Sequence, residues 1–97
     1  MNEKLRSENN DYLFNCILSL KTVEECYDFF EDICTCSEIN ELGKRLRAAK
    51  MLANGKQYSE INAETGLSTA TISRVNHSLK YGADGYRTVL DRTDKTK

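Results

Sequence analysis

The sequence contains no proline, no tryptophan and a single histidine, His77. Without proline, no pyrrolidine ring breaks a helix from within. One histidine offers little for acid–base chemistry near neutral pH, and the sequence places no base beside a nucleophile, so an enzyme is not expected. No apolar run approaches the roughly 18 residues that would suggest a membrane-crossing helix. The opening MNEKLRSENND lacks the basic-then-apolar plan of a secretory signal. These absences predict a cytoplasmic protein with no membrane partner. There is no internal repeat, and no segment alternates as a strand would.

The 97 residues suffice for one domain over 1–97. A chain of this size buries roughly two-thirds of its unfolded surface, and pairing with a second copy would enlarge its core. Four cysteines, Cys16, Cys26, Cys34 and Cys36, are expected to be reduced in the cytosol. Cys16 and Cys26 fall on apolar helix faces and read as small core residues. Cys34-Thr35-Cys36 lacks the four-ligand spacing of structural zinc, and His77 is far away in sequence, so no metal is assigned.

Charge is unevenly spread. Residues 1–42 hold ten acids against three bases, net −7, whereas residues 43–82 hold seven bases against two acids, net +5. Residues 83–97 add +1, giving −1 overall. A basic island behind an acidic front fits a phosphate-binding face joined to a region that does not touch DNA. A solvated charge pattern without a partner would look the same on charge alone.

Short polar punctuation divides the chain into helices. The first covers 9–20, with Leu13, Phe14, Ile17, Leu18 and Leu20 as its apolar stripe. Thr22 opens a second, running to about Cys34, through a capping box with Glu25. It is expected to bury Val23, Cys26, Tyr27, Phe30 and Ile33. Ser37 is the expected cap of a third helix, whose Ile39, Leu42, Leu46, Ala49 and Ala53 form a packing seam. Asn54-Gly55 ends that helix. Residues 9–54 thus read as a helical dimerisation core, 58–81 as two short helices, and 84–92 as a last helix carrying Tyr86, Val89 and Leu90. The tail, 93–97, is polar and expected to fray.

The pair over 58–81 carries the function. Two short helices joined by a glycine-containing turn are the helix-turn-helix plan. Counting Tyr58 as the first of twenty positions puts Ile61, Thr65, Leu67, Ile72 and Val75 at the motif's core places, and Gly66 where the backbone needs positive φ. Asn62 stands where a small residue is usual, which is expected to widen the helix crossing. The second helix then presents Ser68, Thr69, Ala70, Ser73, Arg74 and His77, with Thr71 at the edge of that face. Small hydroxyl and methyl groups at a helix N-terminus suit base edges and thymine methyls, and Arg74 suits phosphate or guanine. The expected DNA contacts also include Tyr58 and Lys56 at the start of the motif and Lys80 at its end. Lys44, Arg45, Arg47 and Lys50 would add nonspecific backbone contacts. The alternatives are a helical hairpin whose outer face is merely soluble, and a protein-interaction module on the same scaffold, with dimerisation and the acidic N-terminal half as its working surface and no specific DNA readout.

From about Thr35 to Leu90 the chain resembles the Trp repressor superfamily, in particular its YerC/YecD-type, TrpR-related branch. The words that carry this are ELGKRLRAAKMLANG and SEINAETGLSTATISRVNHSLKYG. The Trp repressor has a Leu-Gly-x-Arg-x-Arg helix ended by glycine, and a reading helix with Ala-Thr-Ile-Thr-Arg and then Asn-Ser-Leu-Lys. Here Leu42 to Arg47, Gly55, Ala70 to Arg74 and His77 to Lys80 take those places. The resemblance implies an all-α, six-helix fold in an interwoven homodimer. It implies a transcriptional regulator, by analogy a repressor, that sets two reading heads in successive major grooves of double-stranded DNA and lies at the nucleoid when bound. It also implies a small-molecule corepressor such as an amino acid. Arg45 and Arg74 match the two arginines that sandwich the indole of tryptophan, Ser78 matches a residue near the ligand amino group, and Thr35 matches another pocket position. The pocket departs from that pattern, with Asp32 and Cys34 at leucine positions and Val75 at a glycine beside the ligand. Arg45 reads equally as a phosphate contact or surface cation, and Arg74 as a direct DNA contact.

Overall fold

Hydroxyl side chains start most of the helices. In a computed structural model, which describes residues 3–94, a single 3-10 turn over Glu3–Leu5 precedes six α-helices. Among the described residues there is no strand. Helix α1 (Glu8–Leu18) begins where Ser7 Oγ accepts from the Asn10 amide at 3.0 Å. It ends earlier than the expected 9–20, because the amide of Ser19 turns to the Cys16 carbonyl and that of Leu20 to Ile17. These tightened i→i−3 bonds close the last turn. Helix α2 (Val23–Ile33) starts at Thr22, whose Oγ1 accepts from the Glu25 amide at 3.0 Å. Glu25 reaches back to the amide of Lys21 at 2.8 Å.

Helix α3 (Cys36–Ala53) corrects one expectation. Its cap is Thr35, not Ser37, which lies inside the first turn. Thr35 Oγ1 accepts from the Glu38 amide at 3.2 Å, and the Thr35 amide donates to Glu38 Oε1 at 2.8 Å. A reciprocal box satisfies two donors, whereas a cap at Ser37 would satisfy one. That carboxylate is held below the usual glutamate range, first by the Thr35 amide and then by the Thr35 hydroxyl.

The chain divides into two compact units, Met1–Ile39 and Asn40–Lys97. In the first, no described residue is buried. Leu13, Cys16, Ile17, Leu20 and Phe30 are half-buried, while Phe14, Leu18, Val23, Cys26, Tyr27 and Ile33 are exposed. The expected burial of both stripes is therefore not found within one chain, since two three-turn helices and the start of a third cannot enclose their own apolar faces. All four cysteines are free thiols, and the half-buried Cys16 and exposed Cys26 are not core residues here.

The second unit holds the core: Ala48, Ala49 and Met51 of α3 with Ile61, Leu67, Ile72 and Val75, flanked by the half-buried Leu52, Tyr58, Tyr86 and Leu90. The seam expected on α3 is only partly covered. Ala49 is buried, but Leu42, Leu46 and Ala53 are exposed. The core-facing side of α3 runs instead through Ala48, Met51 and Leu52, where the two alanines leave room for its neighbours.

Helices α4 (Tyr58–Thr65), α5 (Thr69–Tyr81) and α6 (Gly85–Thr93) complete this unit. Gly55 ends α3 at φ +79°, with the Lys56 amide bonded to the Met51 carbonyl at 3.0 Å. Gly82 ends α5 for a different reason. Its φ is ordinary, −83°, but a Cβ there would strike the Ser78 carbonyl oxygen. Asp84, the expected start of the last helix, precedes α6 at φ +67° and makes no side-chain cap bond. Of the polar tail at 93–97, residues 95–97 lie outside the described residues.

Candidate nucleic-acid interface

The five core places of the motif, Ile61, Thr65, Leu67, Ile72 and Val75, are all buried. Thr65 takes its place because its hydroxyl is fully used: Oγ1 donates to the Ile61 carbonyl at 2.7 Å and accepts from the Leu67 amide at 3.1 Å. Gly66 ends α4 in the left-handed region at φ +75°, its amide on the Asn62 carbonyl at 2.8 Å. Asn62 Nδ2 donates to the Leu67 carbonyl at 2.8 Å. The residue that departs from the motif thus fastens its turn.

Ser68 caps α5. Its Oγ accepts from the Thr71 amide at 3.2 Å and donates to Thr71 Oγ1 at 3.1 Å. The first turn of α5 carries no acid, so its positive end stays open to an anion. At 3.6 residues per turn, Thr69, Ala70, Ser73, Arg74, His77 and Lys80 fall within an arc of about 140°. All six are exposed. Ile72, Val75 and Leu79 lie on the opposite side and are buried. The His77 ring rests against Tyr81, with centroids 5.2 Å apart.

Two expected contacts sit differently. Thr71 is half-buried, and its hydroxyl is engaged by Ser68. Tyr58 is half-buried too, and its hydroxyl accepts from Asn76 Nδ2 at 3.2 Å, linking α4 to α5. Asn76 carried no sequence signal for this role, because only the fold brings positions eighteen residues apart together.

Of the cations, Arg45 pairs with Glu41 one turn earlier on α3 at 3.5 Å, and Arg47 pairs with Glu64 of α4 at 3.3 Å. Both pairs are about half exposed and add little stability. Lys44, Lys50, Lys56, Arg74 and Lys80 make no ion pair among the described residues, and remain available to phosphate.

Arg45, Thr71, Arg74, Val75, Ser78 and Tyr86 line a cavity of about 150 Å³ beside α5. Three of the residues matched to a corepressor site, Arg45, Arg74 and Ser78, are thus brought together. Thr35 belongs to the first unit, where its hydroxyl serves as the α3 cap. Tyr86, which the sequence suggested only as an apolar residue of the last helix, forms part of the cavity wall.

Among the described residues, no helix is long and apolar enough to cross a membrane, and no group of three or more His, Cys, Asp or Glu could hold a metal. The model of the Trp repressor protein family matches residues 8–94. The YerC protein of Bacillus subtilis (strain 168) is 55% identical over 95 residues, covering 98% of this chain and 91% of that one. The crystal structure of a TrpR-like protein from Eubacterium eligens ATCC 27750 superposes with a TM-score of 0.91 at 54% identity, covering 94% of each chain. That of a candidate Trp repressor from Staphylococcus aureus gives 0.89 at 53% identity, covering 93% of this chain and 90% of that one. With its six helices, its buried helix-turn-helix core and these relatives, the chain belongs to the Trp repressor family, as a YerC-type member of a group of DNA-binding regulators rather than enzymes.

Proposed function

We propose that the protein is a sequence-specific transcriptional repressor that binds double-stranded DNA as a homodimer, with α5 in the major groove. One observation carries the reading. The six exposed residues Thr69, Ala70, Ser73, Arg74, His77 and Lys80 form a single arc, backed by the buried Ile72, Val75 and Leu79. Thr69, Ala70 and Ser73 are short enough for base edges, and Arg74 can take guanine or phosphate. Lys56 and Lys80 position the head on the backbone.

The exposed apolar side chains support a homodimer. Phe14, Leu18, Val23, Tyr27, Leu42 and Leu46 are exposed, and a second copy would take such side chains out of water. Two heads on a twofold axis would meet half-sites about 34 Å apart. A working place at the nucleoid, in the cytoplasm, follows.

The test is selection of bound duplexes from a random pool, followed by affinity measurements over a salt series. The expected result is a preferred palindromic sequence bound by two copies. Neutralising about five phosphates per head, about ten for the dimer, would give log affinity a slope near −9 against log salt. Lys56→Ala weakens all sequences alike, while Ser73→Ala changes the preferred bases. No sequence-dependent binding at low salt would sink the reading. The same exposed apolar residues favour a second reading, a protein-interaction module. A partner complex that persists when Arg74 and Lys80 are neutralised would support that one.

A further inference from the structure

We propose that Tyr81 is a positioning residue of the DNA interface: its ring holds the imidazole of His77 so that it donates to a backbone phosphate. This rests on the DNA-reading function above and adds to it a residue that the helix-turn-helix count does not mark.

Burial does not explain Tyr81. It is the last residue of α5, it is 75% exposed, and it stands outside the core cluster. At 3.6 residues per turn it lies about 120° around the helix from Thr69, inside the arc that holds the six exposed residues of α5. An aromatic ring is thus displayed on the surface that would meet DNA.

That ring meets His77 one turn earlier, with centroids 5.2 Å apart and planes at 53°. Long side chains on a helix lean toward its N-terminus, so Tyr81 lies back over the turn that carries His77. Offset and tilted contacts are the ones aromatic pairs favour. With one face covered, the imidazole has less rotamer freedom to lose when a ring nitrogen meets an acceptor. The helix stays wound to this point, because the Gly82 amide still reaches the Ser78 carbonyl, at 2.9 Å.

The charges around His77 select phosphate as its partner. Helix α5 carries no acid along its 13 residues. Arg74 precedes His77 by three residues and Lys80 follows it by three, so the side chains form one ridge, each step rising about 4.5 Å. Neither cation has an ion-pair partner among the described residues. A donor set between two such cations stands in a positive potential that a phosphate oxygen relieves. The place along the helix agrees. Helix-turn-helix proteins touch base edges with the start of the second helix. His77 and Tyr81 lie about 12 and 18 Å beyond Thr69, as far as the roughly 12 Å major groove is wide, where the backbone runs.

The experiment uses the full chain with selected and scrambled duplexes. Affinity, melting temperature, self-association and the NMR signals of the imidazole ring are measured for wild type, Tyr81→Ala, Tyr81→Phe, His77→Ala and the double alanine variant. His77 is the sole histidine, so its ring signals need no sorting. They are expected to be displaced by the neighbouring ring in wild type and in Tyr81→Phe, and to lose that displacement in Tyr81→Ala. Tyr81→Ala is expected to bind every duplex about fivefold more weakly with little change in melting temperature, since exposed positions weigh little on stability. His77→Ala should lose about tenfold on every duplex, as a donor to a charged group is removed. The double variant should bind no more weakly than His77→Ala, because the ring acts only through the imidazole. Tyr81→Phe restores wild-type affinity.

Full affinity in either alanine variant, or additive losses in the double variant, would overturn the proposal. So would a loss in Tyr81→Phe equal to that in Tyr81→Ala, which would put the phenol itself on DNA. A changed base preference in His77→Ala would overturn it by making the imidazole a base contact, and weaker self-association in Tyr81→Ala by placing the ring between subunits. Should wild type bind no duplex, the DNA-reading function itself fails; should wild type and Tyr81→Ala bind alike, only the role of Tyr81 falls.

Discussion

The side-chain amide of Asn76 donates to the phenolic oxygen of Tyr58 across 3.2 Å, tying α5 to the helix before it. Tyr58→Phe removes the acceptor and leaves the amide half-buried without it. The expected loss is about 0.5–1.5 kcal/mol, read from urea unfolding. Asn76→Ala should lose a similar amount, and the double variant less than the sum, because both remove one bond. If the hydroxyl instead served DNA directly, Tyr58→Phe would lower affinity at unchanged stability, and that result would count against the link.

The two glycines on either side of α5 should respond differently to substitution. Gly66 sits at φ +75° with nothing within 4 Å of an added Cβ, so Gly66→Ala is expected to lose about 1–2 kcal/mol from backbone conformation alone. Gly66→Asn should recover part of this. Gly82 has an ordinary φ but no room beside the Ser78 carbonyl. Gly82→Ala must therefore shift backbone, and Gly82→Asn should do no better. Denaturation midpoints of the four variants check the contrast.

Buried and exposed faces of α5 make a second contrast. Ile72 is fully buried, and Ile72→Ala is expected to destabilise by about 2–5 kcal/mol. Ser73, its exposed neighbour, should change stability by less than about 0.5 kcal/mol on replacement by alanine. Only the second variant should bind a different set of duplexes at full stability. Equal thermal losses in both would contradict the face assignment.

Acid should loosen the start of α3. Glu38 has its carboxyl held below the usual glutamate range by the Thr35 amide and then the Thr35 hydroxyl. A depressed folded value means that the charged form stabilises the fold. The contribution is present above the ordinary glutamate range and is lost as pH falls through the lowered value. In an NMR titration, the Thr35 amide should follow Glu38 with a midpoint below that of glutamate in the unfolded chain. Glu38→Gln should remove that transition.

The helix-turn-helix was legible because its signals are local. Gly66, Ser68 and the spacing of Ile61, Thr65, Leu67, Ile72 and Val75 each state a backbone or burial requirement within twenty residues. The α3 cap was misplaced by two residues because Thr35 and Ser37 both suit a cap, and only the reciprocal bond with Glu38 separates them. The stripes of α1 and α2 were readable as apolar but not as uncovered, since periodicity gives a face and not what meets it. The Tyr58–Asn76 bond, the Arg47–Glu64 pair and the place of Tyr86 in the cavity wall needed the fold, because each joins separate helices.

The first unit, in which no described side chain is buried, bears on dosage. On the dimeric reading, such a unit owes its stability to mass action, and the midpoint of its unfolding rises with the number of copies present. A regulator built this way measures its own abundance. On the same reading, its operators would stand empty below a threshold copy number, and a modest rise in synthesis would fill them over a narrow range, because two chains must meet before two heads can bind.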